Sequence, residues 1–136
     1  MKKIIFVCTG NTCRSPLAES YAKKVYPERE FESRGLMVTS DCISKYSLEI
    51  IRENALPEPS SPRQLSKADT LQSVLLVMTE AHRTAVENMY PGAEVELLSK
   101  FSTEHSVDIS DPFGAEKEVY NKVFQEIKTF VDKIEV

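Results

Sequence analysis

Ile4-Ile5-Phe6-Val7-Cys8-Thr9-Gly10-Asn11-Thr12-Cys13-Arg14-Ser15-Pro16 is the stretch that decides how this chain folds. Ile4 to Val7 are apolar and β-branched or aromatic, the composition of a buried strand. Gly10 and Asn11 tolerate left-handed backbone angles, so a short loop can turn there. Ser15-Pro16 then predicts a helix start, with Ser15 as N-cap and Pro16 as the first helical residue. A loop that joins a strand to a helix N-terminus gathers free N–H groups around one point, which makes it an anion site.

Into this ring the sequence places a thiol, Cys8, and a guanidinium, Arg14. The helix end and a neighbouring Arg both favour thiolate over thiol, so Cys8 is predicted to be a nucleophile. Arg14, after five intervening residues, offers a planar fork that fits two equatorial oxygens of a phosphoryl group and tightens as charge develops there. Thr9, Gly10, Asn11, Thr12, Cys13 and Ser15 complete the predicted phosphate-binding set. The spacing of Cys and Arg alone is a weak signal in a chain with three cysteines. Its coincidence with a strand before, a Gly-Asn turn inside and a Ser-Pro helix start after is a strong one.

Cys8 to Pro16 resembles the phosphate loop of the low-molecular-weight protein tyrosine phosphatase family. The resemblance extends over nearly the whole chain, in length, in the order of strands and helices, and in Asp111-Pro112-Phe113. It implies phosphorylated proteins as substrates, no cofactor, and a parallel sheet of four strands. It also implies that Ser33 hydrogen-bonds Asn11 and holds the loop in shape. Arg63-Gln64 resembles another family element, although Ser60 stands where the family has a His. Most tyrosine phosphatases of the family carry Ile or a similar apolar residue where this chain has Thr12. The form Cys-Thr-Gly-Asn-Thr-Cys-Arg-Ser-Pro resembles the protein arginine phosphatases of Gram-positive bacteria. That likeness implies a protein arginine kinase as the opposing enzyme and bacterial stress-response proteins as substrates.

At 136 residues the chain is expected to form one domain, residues 1–136, with a core large enough to need no staples. Seventeen basic residues against twenty-one acidic ones give a net charge of -4 without a basic run, which argues against nucleic acid as a partner. The longest apolar runs, Ile4 to Cys8 and Val74 to Met78, are too short to span a bilayer. Lys2-Lys3 lacks the long apolar region of a signal peptide. Three cysteines, two of them in one reactive loop, fit a reducing compartment, so a cytoplasmic location is expected.

Leu17, Ala18, Tyr21, Ala22 and Val25 recur at helical spacing, predicting a helix to about Tyr26 that stops before Pro27. Phe31 to Arg34 reads as a second strand ended by Gly35. Tyr46 to Leu56 reads as a modest amphipathic helix, closed by a proline-rich loop from Pro57 to Leu65. Ser73 to Met78 is a continuous apolar run, the mark of a central parallel strand. Thr79 is expected to cap a helix reaching about Tyr90, with His82 as a surface or packing residue, since it has no second ligand at metal spacing. Val95 to Leu98 reads as a fourth strand, Ser99 to Gly114 as a long loop, and Ala115 to Glu135 as a helix with a stripe of Val119, Val123, Phe124, Ile127, Phe130, Val131 and Ile134. Alternating strands and helices predict an α/β three-layer sandwich with a four-stranded parallel sheet, its phosphate loop following strand 1.

Dephosphorylation needs an acid beside the leaving group, and Asp111 is the candidate. Pro112 restricts Asp111 to extended angles and Phe113 offers an aromatic wall. Its acid role requires a raised pKa, which the thiolate, the phosphate dianion and partial burial would favour. The expected route is transfer of the phosphoryl group to Cys8, then hydrolysis of the cysteinyl phosphate with Asp111 as base. No metal is required, because loop N–H groups and Arg14 supply the charge. Cys13 is close enough in sequence to form a protective disulfide with Cys8, or else packs under the loop as a thiol. Cys42 has no partner in sequence.

Thr12 favours phosphoarginine, because its hydroxyl can accept from guanidinium N–H groups that would cost about 1–3 kcal/mol each if left unpaired. Phosphotyrosine is the alternative substrate. Arsenate reductases also resemble the loop, but no cysteine follows Cys42 to relay electrons. A silent phosphate-binding module would make the joint presence of Cys8, Arg14 and Asp111 a coincidence.

Overall fold

The structure is a computed structural model and describes residues 2–134. Four strands, β1 (Lys3–Cys8), β2 (Phe31–Gly35), β3 (Ser73–Val77) and β4 (Val95–Leu97), form one all-parallel sheet in the order β2-β1-β3-β4. The helices are α1 (Arg14–Val25), α2 (Lys45–Glu53), α3 (Lys67–Thr70), α4 (Glu80–Met89), α5 (Leu98–Thr103) and α6 (Lys117–Val131).

The apolar run of β1 is buried because it is covered on both faces. Ile4 and Phe6 face a core shared with Leu17 of α1, Ile50 and Ile51 of α2, and Val123, Phe124 and Ile127 of α6. Ile5 and Val7 face a second core with Leu75, Val77, Val86 of α4 and Leu97. Alternation along one strand therefore feeds both outer layers. The result is the expected α/β sandwich with four parallel strands. All strands point the same way, so the loops after β1, β2 and β3 meet at one edge of the sheet.

Four expectations about elements need correction. Ser15 does not cap α1: the helix already begins at Arg14, and no side chain caps it. The Ser15 hydroxyl is turned to Cys8 and Asn11 instead. Residues 99–114 are not all loop, because α5 continues directly from β4 to Thr103, where Glu104 ends it in a left-handed conformation with φ 68°. Burial of Leu98 and Ser99 stabilises this short helix, a tertiary effect without local periodicity. Within the final helix Val119 is 39% exposed, so it lies outside the buried stripe. That helix runs from Lys117 to Val131, shorter at both ends than the predicted Ala115 to Glu135; Ile134 is buried beyond its end, and Glu135 lies outside the described residues.

The short helix α3 went unread, although Ser66 and Asp69 form a reciprocal capping box that the sequence spells out. β2 extends one residue further than predicted, to Gly35, which pairs with Cys8 and bridges to Gln64.

Candidate active site

Cys8 ends β1 and is buried, 2% exposed. The loop beyond it closes because Asn11 takes φ 58°, a left-handed angle that Asn tolerates better than most residues. The Asn11 side chain then works in two directions. Its Oδ1 accepts the Arg63 N–H at 2.9 Å, which fixes the amide so that Nδ2 donates to Ser15 Oγ at 2.8 Å. That bond uses one Ser15 lone pair and leaves the hydroxyl hydrogen free to donate to Cys8 Sγ, 2.9 Å away. This contact reaches the sulfur from a residue that does not line the cleft.

The expected bond between Ser33 and Asn11 is absent. Ser33 donates to Glu19 Oε1 at 2.5 Å. Glu19 is fully buried on α1 and also accepts from the Ser60 backbone and hydroxyl and from Lys23. Ser33 is drawn to this buried carboxylate, the stronger acceptor, while Asn11 is served by the backbone of the proline-rich loop. Arg63 contributes to the site through its main chain. Gln64 bonds with Val38 and Leu36 and ties that same loop to the segment after β2.

Arg14 is almost wholly buried. Its Nη1 donates to the Ile109 carbonyl at 2.8 Å and its Nη2 lies 3.6 Å from Asp111 Oδ2. Nε–H has no partner among the described residues, and it adjoins the pocket of which Arg14 forms part of the wall. One arm of the guanidinium is thus anchored at the Ile109 carbonyl while the side chain lines the cleft. Asp111 stands at the rim with its side chain 48% exposed, its Oδ1 accepting the Phe113 N–H at 3.0 Å in an Asx turn. This turn holds the carboxylate over Arg14.

The cleft so formed has a volume of about 360 Å³. Cys8, Thr9, Gly10, Thr12, Cys13 and Arg14 line its floor, with Asp111 and Phe113 on one side. Of the predicted site residues, Asn11 and Ser15 do not line it; they are buried beneath the loop and hold it. Phe113 is 76% exposed at the lip. Met37, Thr39 and Ser40 complete the wall, and sequence reading missed them. They follow β2 directly, so their place beyond the carboxyl end of a neighbouring strand was the available signal.

Cys13 is buried, with Sγ 3.5 Å from the Tyr120 hydroxyl and 3.7 Å from Thr12 Oγ1. Burial pushes the Tyr120 hydroxyl up to about 12, helped by the Cys13 contact. His82 is neither on the surface nor a packing residue alone: it is buried, and its Nε2 lies 2.9 Å from Thr9 Oγ1. Burial, and then the positive charge of Arg14, lower its pKa to about 4, so the ring is neutral at pH 7. Among the described residues no group of three or more His, Cys, Asp or Glu side chains is placed to hold a metal ion. No described helix is long and apolar enough to cross a membrane.

Residues 3–135 match the family model described as low molecular weight phosphotyrosine protein phosphatase. Among curated relatives, the low molecular weight protein-tyrosine-phosphatase PtpB of Staphylococcus epidermidis is 44% identical over 134 residues, covering 97% of this chain and 96% of the relative. The PtpB of Staphylococcus aureus is 37% identical over 138 residues with the same coverage. Among solved structures, the YwlE arginine phosphatase from Geobacillus stearothermophilus superposes with a TM-score of 0.92 at 31% identity, covering 98% of this chain and 90% of that one. A strand, a phosphate-sized loop with a buried Cys and Arg, and a match along almost the full length lead to one conclusion: the chain belongs to the low-molecular-weight protein phosphatase family of cysteine-dependent enzymes.

Proposed function

We propose that this phosphatase hydrolyses phosphoarginine in proteins, with Cys8 as nucleophile, Arg14 as the phosphoryl clamp and Asp111 as acid and then base. The observation that carries the substrate assignment is Thr12, which lines the cleft. Its hydroxyl supplies a hydrogen-bond acceptor beside a flat, cationic guanidino group, where an apolar residue would leave N–H donors unpaired. The likeness to the YwlE arginine phosphatase supports the same reading.

In the first step the Cys8 sulfur attacks phosphorus, the P–N bond breaks, and the departing guanidino nitrogen takes the proton of Asp111. Loop N–H groups and Arg14 stabilise the charge on the equatorial oxygens. In the second step water attacks the cysteinyl phosphate, Asp111 takes its proton, and inorganic phosphate leaves with Cys8 again a thiolate.

The second reading is phosphotyrosine, and the comparisons by name favour it. The relatives at 44% and 37% identity are named tyrosine phosphatases, and the arginine phosphatase is 31% identical. The exposed Phe113 and Met37 at the lip also suit a phenol ring. The deciding measurement is kcat/KM on matched phosphoarginine and phosphotyrosine peptides, with Cys8→Ser as the blank. A preference for phosphoarginine that Thr12→Ile removes supports the proposal; a preference for phosphotyrosine in the unmodified chain overturns it. If it holds, a protein arginine kinase is the opposing enzyme. Three free thiols, Cys8 and Cys13 adjoining one cleft, fit a reducing cytoplasm and reversible oxidation of the nucleophile. Peroxide inactivation that dithiol reverses in the unmodified chain and fails to reverse in Cys13→Ser is the expected sign of a Cys8-Cys13 disulfide.

A further inference from the structure

The loop that carries Asp111, residues 104–116, has no strand or helix of its own. Its few anchors therefore set the distance from the acid to the nucleophile. Ser99 Oγ holds Val107 on both sides, donating to its carbonyl at 2.8 Å and accepting its N–H at 2.9 Å. Ile109 N–H donates to the Met78 carbonyl at 2.9 Å, and the Ile109 carbonyl accepts from Arg14. Between these points Asp108 Oδ1 accepts the N–H of Glu80, the first residue of α4, at 2.9 Å.

Thr79 Oγ1 caps α4 from within by accepting the His82 N–H at 3.1 Å, whereas Asp108 reaches the separate N–H of Glu80 from another loop. The same turn holds the other loop through His82 Nε2 and Thr9 Oγ1. One turn of helix thus touches the loop of Cys8 on one side and the loop of Asp111 on the other. We propose that Asp108 is a positioning residue for the general acid: its bond to the Glu80 N–H spaces Asp111 from Cys8 and from the leaving group. The inference rests on the reading of Asp111 as the acid. Asp108 is exposed, so its replacement leaves the core intact.

The test is kcat/KM on p-nitrophenyl phosphate, whose leaving group needs little protonation, and on phenyl phosphate, whose leaving group needs it. Asp111→Asn is the benchmark for loss of the acid. Asp108→Ala should lose roughly fivefold or more on phenyl phosphate beyond any loss on p-nitrophenyl phosphate, because misplacing an acid by a fraction of an ångström costs part of its contribution. Asp108→Asn, which keeps the acceptor oxygen, should restore the unmodified ratio. Equal losses on both substrates in Asp108→Ala, or no loss, overturn the proposal while Asp111→Asn stays leaving-group dependent. An Asp108→Asn variant that behaves like Asp108→Ala also overturns it, by assigning the effect to charge. If Asp111→Asn itself shows no leaving-group dependence, the acid assignment falls and this inference falls with it.

Discussion

The hydroxyl of Ser15 lies 2.9 Å from the sulfur of Cys8, and the Asn11 amide, 2.8 Å away on its other side, leaves the hydroxyl hydrogen free for that sulfur. Ser15→Ala removes this donor without touching the substrate side of the cleft. A hydrogen bond to a charged group contributes about 1.5–3 kcal/mol, so kcat should fall roughly 10- to 100-fold. Steady-state kinetics on an aryl phosphate will show it, and Ser15→Thr should recover part of the loss.

Asn11 combines a left-handed backbone angle with two side-chain hydrogen bonds, one buried and one partly buried. Asn11→Ala should cost about 2–4 kcal/mol of folding stability from strain and the unpaired Arg63 N–H. Urea unfolding measures this directly. Asn11→Gly, which relieves the angle alone, should recover only the smaller share.

Gly35 at the end of β2 abuts the phosphate loop from behind. A Cβ there would meet Asn11 N and Gly10 C at 2.9 Å, both backbone atoms with no side chain to swing aside. Gly35→Ala should therefore shift the loop and lower kcat/KM by at least about tenfold. The discriminating result is that activity falls far more than the thermal midpoint does.

His82 has its pKa lowered to about 4 from the ordinary 6.5 by burial and by Arg14. Between those values the unfolded chain binds the proton and the folded chain does not, so stability rises with pH across that window. The contribution is complete above about pH 6.5 and is lost as pH falls toward 4. Because the ring keeps some solvent contact, the loss between pH 7 and 4.5 should be about 2 kcal/mol rather than the full shift. His82→Gln should lose that much less than the unmodified chain over the same interval, read by denaturant unfolding at each pH.

Much of this was legible in the sequence for local reasons. Ile4 to Val7 declared a strand by composition, and Val74 to Val77 a central one by being apolar throughout. Gly10-Asn11 declared the turn by backbone tolerance. The capping box Ser66 to Asp69 is equally local, so α3 too is encoded by neighbouring residues. The helix of residues 98–103 had no such signal, because its stability comes from burying Leu98 and Ser99.

The sequence by itself determined the strand and the turning loop with Cys8 and Arg14, because each depends on residues within a few positions of one another, and it carried the family resemblance along nearly its whole length. Only the tertiary structure decided which distant groups serve that loop. Thr9 meets His82 across 73 residues, Arg14 meets Ile109 across 95, and Ser33 turns to Glu19 rather than Asn11. These partners follow from the sheet order β2-β1-β3-β4, which brings the carboxyl ends of parallel strands to one edge. Strand order is a global choice set by which faces can be buried together, and no local stretch of this chain encodes it.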